Sequence, residues 1–91
     1  MRAARRIVIS GRVQGVGFRF FAEEAARREG IHGWIANRTD GTVEVFAEGE
    51  SESVQRFEHQ LRHGPPAARV DHVEADDDVP SHRTGGFVVR S

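Results

Sequence analysis

The stretch Ile7-Val8-Ile9-Ser10-Gly11-Arg12-Val13-Gln14-Gly15-Val16-Gly17-Phe18-Arg19 joins an apolar run to a helical pattern through three glycines. A short apolar run bounded by turn residues reads as a buried strand, here ending near Val13. The segment after it carries Phe18, Phe21, Ala22, Ala25 and Ala26 on one stripe, the spacing of an amphipathic helix. A glycine-rich turn at a helix start lets several backbone N–H groups converge on one point. Together with the positive end of the helix dipole they form an anion site suited to phosphate. Arg19 adds a planar fork of donors matched to phosphate oxygens. The blander alternative is a strand-to-helix turn whose glycines only relieve strain. A Walker A loop is excluded because the chain has no lysine, and the dinucleotide fingerprint is excluded because position 20 is phenylalanine.

Outward from this stretch, Gly30 stands where a left-handed helix C-cap belongs. Ile31, Gly33, Ile35 and Asn37 share one face of a second strand, with His32, Trp34 and Ala36 on the other. Asp40-Gly41 predicts a tight hairpin turn. The third strand places Val43, Val45 and Ala47 inward and Glu44 and Glu48 outward. Ser51 is the expected N-cap of a second helix whose stripe is Val54, Phe57 and Leu61, and Gly64-Pro65-Pro66 stops it. A fourth strand is expected from Arg69-Val70 to Ala75, then a polar loop from Asp76 to Gly86, then a closing strand Phe87-Val88-Val89-Arg90. The order β-α-β-β-α-β, with a possible split in the last strand, is the ferredoxin-like α+β pattern, an antiparallel sheet with two helices on one face.

Ninety-one residues allow one domain, 1–91, with a single modest core. A hydrophobic content of 37% with 30% charged residues is that of a folded soluble chain and not a disordered tail. No membrane association is expected, since no apolar run approaches the roughly 20 residues of a span. The basic Met1 to Arg6 is followed only by Ile7-Val8-Ile9, too short for a signal peptide, so the cytoplasm is the expected location. The absence of cysteine removes disulfides and thiolate metal sites. All thirteen basic residues are arginine, so no lysine can act as Schiff base or general base. A net charge of −1 argues against a nucleic-acid partner.

In this topology the first strand runs up, the helix returns, and the second strand runs up again. Its end, Asn37, therefore lies at the same sheet edge as the glycine loop, with the parity of Ile31 and Ile35, on the helix-covered face. Arg19, the loop N–H groups and the Asn37 amide then face one anion. No cysteine or histidine falls in this set, so the chemistry it suits is one with a good leaving group already in place. Acyl phosphates qualify, because cleavage expels a carboxylate whose acid has a pKa of about 4. Binding the phosphoryl group, neutralising its charge and placing a water in line is then enough.

Gly11-Arg12-Val13-Gln14-Gly15-Val16-Gly17-Phe18-Arg19 followed by Gly33-Trp34-Ile35-Ala36-Asn37 resembles the acylphosphatase family. The resemblance extends through Asp40-Gly41-Thr42-Val43-Glu44-Val45, Gly64-Pro65-Pro66-Ala67 and the closing Phe87-Val88-Val89-Arg90. It implies metal-independent hydrolysis of the carboxyl–phosphate bond of small acyl phosphates, with no cofactor. Residue by residue, it implies that the phosphoryl group is bound by the N–H groups of Gln14, Gly15, Val16, Gly17 and Phe18 and by Arg19. It also implies that Asn37 orients the attacking water. The chain lacks the terminal aromatic that some members carry, which bears on the packing of the last strand. A monomer is expected.

Other signals are weaker. His59 and His63 stand i, i+4 on the second helix, but two ligands without a third do not make a metal site, so no metal is expected. Asp76-Asp77-Asp78 reads as a solvated loop or as a charged guard on an exposed strand edge. Trp34 falls on the outer sheet face, Phe20 and Phe46 interrupt polar faces, and Arg12 is read as a surface charge. The competing class is a ferredoxin-like binding module. Gly86-Phe87-Val88 partly matches an RNA-binding aromatic motif, but that reading needs a basic sheet surface.

Overall fold

A computed structural model describes residues 1–82 and 84–90. The elements are β1 (Arg2–Arg12), α1 (Phe18–Glu29), β2 (His32–Asn37), β3 (Val43–Glu50), α2 (Ser51–His63), β4 (Arg69–Asp78) and β5 (Phe87–Arg90). They form one sheet in the order β4-β1-β3-β2-β5. Pairing is antiparallel for β1 with β3, β1 with β4 and β2 with β3. The fold is ferredoxin-like, with one departure from an all-antiparallel sheet: β5 pairs parallel to β2. The expected split of the last strand is thus a separation onto opposite edges, β4 beside β1 and β5 beside β2.

The inner face is built by Ile7 and Ile9 of β1, Ile35 of β2, and Val43, Val45 and Ala47 of β3, each fully buried. Ala22, Ala25 and Ala26 of α1 and Val54, Phe57 and Leu61 of α2 cover it. The alanine stripe lets α1 approach the sheet closely, while α2 supplies the bulk. Phe57 meets Phe87 of β5 edge to face, with ring centroids 5.5 Å apart. Removing one such buried aromatic costs about 3–5 kcal/mol. Gly33 has φ 142°, and a Cβ there would stand 1.9 Å from the Phe46 carbonyl oxygen, so β2 can pair with β3 only through a glycine at this position.

Helix ends follow from where their free backbone groups go. Gly30, left-handed at φ 68°, closes α1 as expected: its N–H reaches the Arg27 carbonyl, and the Ile31 N–H donates to the Ala26 carbonyl at 2.9 Å. At α2 the cap is Glu50, and Ser51 is already helical. The Ser51 N–H, now the first of the helix, donates to the Met1 carbonyl at 2.7 Å, and no side chain caps the helix.

Two further expectations are corrected. The β2–β3 connection is not a two-residue turn but spans residues 38–42. It is closed by the Arg38 N–H on the Thr42 carbonyl (2.8 Å) and braced by Asp40 Oδ1, which accepts from the Thr42 N–H (3.0 Å) and hydroxyl (2.6 Å). β4 also runs past Ala75 to Asp78, because Asp76 and Asp77 lie opposite Arg6 and Arg5 of β1 in register. Arg5 donates to Asp77 at 2.8 Å. The acidic run is therefore the exposed, charged edge strand and not the start of a loop.

The largest correction concerns Glu48. Its parity is outward, yet its side chain is fully buried. Ser81 and His82, which follow β4, close over it on the outer face. Glu48 accepts from Arg2 Nε (2.8 Å), from the N–H and hydroxyl of Ser81 (3.1 and 3.0 Å) and from the His82 N–H (2.7 Å). Ala4 and Phe46 on the same face are buried with it. Burial alone would raise the Glu48 pKa, but these hydrogen bonds outweigh it and hold the carboxyl at about 2, against 4.5 ordinarily. A depressed folded-state pKa contributes stability that is present above pH 4.5 and lost as pH falls toward 2. Glu48→Gln is expected to cost about 3 kcal/mol at pH 7. The wild-type advantage should shrink between pH 5 and 2, as followed by denaturant midpoints across that range; a pH-independent difference would rule out an ionised Glu48 in the folded chain.

Candidate active site

The loop leaving β1 turns into α1 through backbone that only glycine adopts readily. Gly17, the α1 N-cap, is left-handed at φ 79° and ψ 18°. A Cβ added there would meet nothing within 4 Å, so its requirement is conformational and not a matter of space. No side chain caps the helix, and the Phe21 N–H makes the first helical bond, to the Gly17 carbonyl at 3.0 Å. The N–H groups of Phe18, Arg19 and Phe20 are left pointing out of the first turn at the positive end of the dipole.

A cavity of about 160 Å³ opens at this point, lined by Val13, Gly15, Gly17, Phe18, Arg19, Phe20 and Asn37. The strand ends, the loop and the helix start thus converge as the topology requires. Of the residues expected from sequence, Gly15, Gly17, Phe18, Arg19 and Asn37 line it, and Gln14 and Val16 do not. The Gln14 side chain instead donates through Nε2 to the carbonyls of Arg38 (2.8 Å) and Thr42 (2.9 Å). It thereby clamps the connection that follows Asn37 against the loop. Val16 packs its side chain on the core.

Asn37 continues the buried parity of Gly33 and Ile35 on β2. Its Oδ1 is buried, and it accepts no hydrogen bond among the described residues. Leaving a buried acceptor unmatched costs about 1–3 kcal/mol, so its orientation has to be imposed by the surrounding fold. Arg19 is half-buried and is held by a hydrogen bond from Nη1 to the Arg90 carbonyl of β5, 2.8 Å away. No acidic side chain pairs with it among the described residues. Its remaining donors keep their capacity for an anion. The Arg90 guanidinium lies over the Trp34 ring at 4.6 Å, a cation–π contact that fastens the end of β5 on the outer face. Sequence reading had no signal for the Arg90 carbonyl, because any residue could supply it.

The remaining candidates lie elsewhere. Arg12 is exposed and outside the cavity wall. The His59 and His63 rings stand 4.8 Å apart, and His63 Nδ1 lies 3.0 Å from the His59 carbonyl oxygen. No group of three potential metal ligands occurs among the described residues. A larger groove of about 520 Å³ lies against α2, but the charges lining it are joined to one another, Glu58 with Arg5 and Arg62, and Arg5 with Asp77. No glycine-rich loop lines it, and the α2 start at Ser51 that does has its first N–H bonded to the Met1 carbonyl.

Comparison with known proteins agrees with this geometry. The acylphosphatase family model matches residues 5–89. The chain is 47% identical over 89 residues to an acylphosphatase of Anaeromyxobacter dehalogenans, covering 98% of this chain and 96% of that protein. It is 47% identical over 83 residues to an acylphosphatase of Koribacter versatilis, covering 91% and 76%. Among solved structures it is similar to the acylphosphatase of Bacillus subtilis, with a TM-score of 0.93 at 34% identity over the whole of both chains. With its cradle, arginine and asparagine at the sheet edge, the chain belongs to the acylphosphatase family, hydrolases that act on small acyl phosphates.

Proposed function

We propose that the chain, as one domain over residues 1–91, hydrolyses acyl phosphates at the 160 Å³ cavity by in-line attack of water on phosphorus, without a metal. The phosphoryl oxygens sit in the cradle of loop and helix N–H groups from Gln14 to Phe18, and the Arg19 fork neutralises their charge. Asn37 holds the water through its side-chain amide, which lines the cavity and whose oxygen has no partner among the described residues, and aims the water oxygen at phosphorus. The new O–P bond forms as the P–O bond to the acyl group breaks. The electron pair departs with the carboxylate, and a proton of the water is lost to solvent. No general acid is needed for a leaving group whose conjugate acid has a pKa of about 4. The observation that carries this reading is the meeting of Arg19 and an unsatisfied Asn37 carbonyl oxygen at a free helix N-terminus.

The same reading makes the chain a cytoplasmic monomer. No helix of the described residues is long and apolar enough to cross a membrane. Metal independence rests on the donor set, since among the described residues the cavity wall offers one cation, Arg19, and neutral groups but no carboxylate or imidazole. The test is hydrolysis of an aryl acyl phosphate followed by ultraviolet absorbance. Turnover should persist unchanged in excess EDTA and vanish in Arg19→Ala. Loss in EDTA that a divalent ion restores would overturn the metal-free scheme, and no turnover by folded protein would overturn the function.

A further inference from the structure

Among the residues of the cavity wall, Phe20 is the one that neither the core nor the phosphate chemistry explains. Val13 and Phe18 are 1% exposed and belong to the core, Gly15 and Gly17 shape the loop, and Arg19 and Asn37 are polar. Phe20 also lines the cavity, yet it is 68% exposed. Single apolar residues on a surface are ordinary. This one stands beside Arg19 on the first turn of α1, at the rim of the anion cradle.

The wall has two sides. Asn37 comes from the end of β2 in the sheet, Val13, Gly15 and Gly17 from the loop after β1, and Phe18, Arg19 and Phe20 from the helix. In-line displacement puts the attacking water and the leaving oxygen on opposite sides of phosphorus. With the water at Asn37 on the sheet side, the carboxylate departs on the helix side, where Phe20 stands.

We propose that Phe20 is a specificity-determining residue that receives the acyl group, so that the chain favours acyl phosphates with a flat apolar acyl group over acetyl phosphate. This rests on the acyl-phosphate reading above. An aryl ring laid against Phe20 leaves water and gains an offset or edge contact. A second anionic group on the acyl part gains nothing comparable, since Arg19 is the only cation in the cavity wall among the described residues and is engaged by the phosphoryl group. The contact is made in the ground state and the transition state alike, so it acts on KM more than on kcat.

The test measures kcat and KM for benzoyl phosphate and acetyl phosphate with wild type, Phe20→Ala and Phe20→Trp. The benzoyl-to-acetyl ratio of kcat/KM should fall about tenfold in Phe20→Ala, chiefly through the KM for benzoyl phosphate, and be retained in Phe20→Trp. An unchanged ratio in Phe20→Ala, or an equal loss on both substrates, overturns the assignment of Phe20 alone. A folded wild-type chain that hydrolyses neither substrate overturns the acylphosphatase reading and this inference with it.

Discussion

Arg19→Lys is expected to lower kcat/KM for acyl phosphates by about 10³-fold while the unfolding midpoint stays near that of wild type. The charge is kept, so the loss isolates geometry. Arg19 spends one Nη1 hydrogen on the Arg90 carbonyl, 2.8 Å away, and that contact sets the plane of the guanidinium. The other donors of the fork then present a fixed pair to two phosphoryl oxygens. A lysine ammonium is a point charge on a flexible stem; bound to the Arg90 carbonyl it cannot also offer two parallel donors, and released from it the stem is no longer fixed. Steady-state kinetics on acetyl phosphate decide the matter. Turnover within a few-fold of wild type would show that charge alone suffices and that the Arg90 anchor is incidental.

Asn37→Ala separates function from stability in a different way. Because Oδ1 is buried and accepts nothing among the described residues, deleting the side chain orphans no partner of that atom, and folding should be little affected. Catalysis should suffer, with kcat falling roughly 10²- to 10³-fold, the scale of losing one preorganised polar group. KM should change little if, as proposed, the loop and Arg19 hold the phosphoryl group. The opposite pattern, a raised KM at unchanged kcat, would make Asn37 a binding residue and leave the water without a host. The unsatisfied carbonyl oxygen is itself the physical signature to look for: folding has left a buried acceptor without a partner beside the cavity among the described residues.

How far such a site is legible without coordinates depends on the range of the interactions that build it. Gly17 and Gly30 act within one helical turn, so their positions in the sequence announce their left-handed conformations. The buried parity of Ile35 carries forward to Asn37 along a single strand, and a β-α-β order places that strand end beside the loop. Gln14 was legible as part of the loop, but its side-chain role as a clamp was not, since its acceptors are the carbonyls of Arg38 and Thr42, more than twenty residues away. The start of α2 was out of reach in the same way: the cap is Glu50, and the first helical N–H, that of Ser51, is satisfied by the Met1 carbonyl fifty residues upstream.

Local chemistry thus determined the strand–loop–helix unit and the inward stripe of each helix, because each depends on neighbours within a few residues or on the period of one element, and the order of the elements then placed Arg19 and Asn37 at one corner. Only the tertiary structure decided that β5 leaves the β4 edge to pair with β2, that Ser81 and His82 close over the buried Glu48 on the outer face, and that the Arg90 carbonyl orients Arg19. Those outcomes rest on hydrogen bonds between backbone groups common to every residue and on ion pairs spanning the length of the chain. No pattern of residue types encodes them until the sheet brings the partners together.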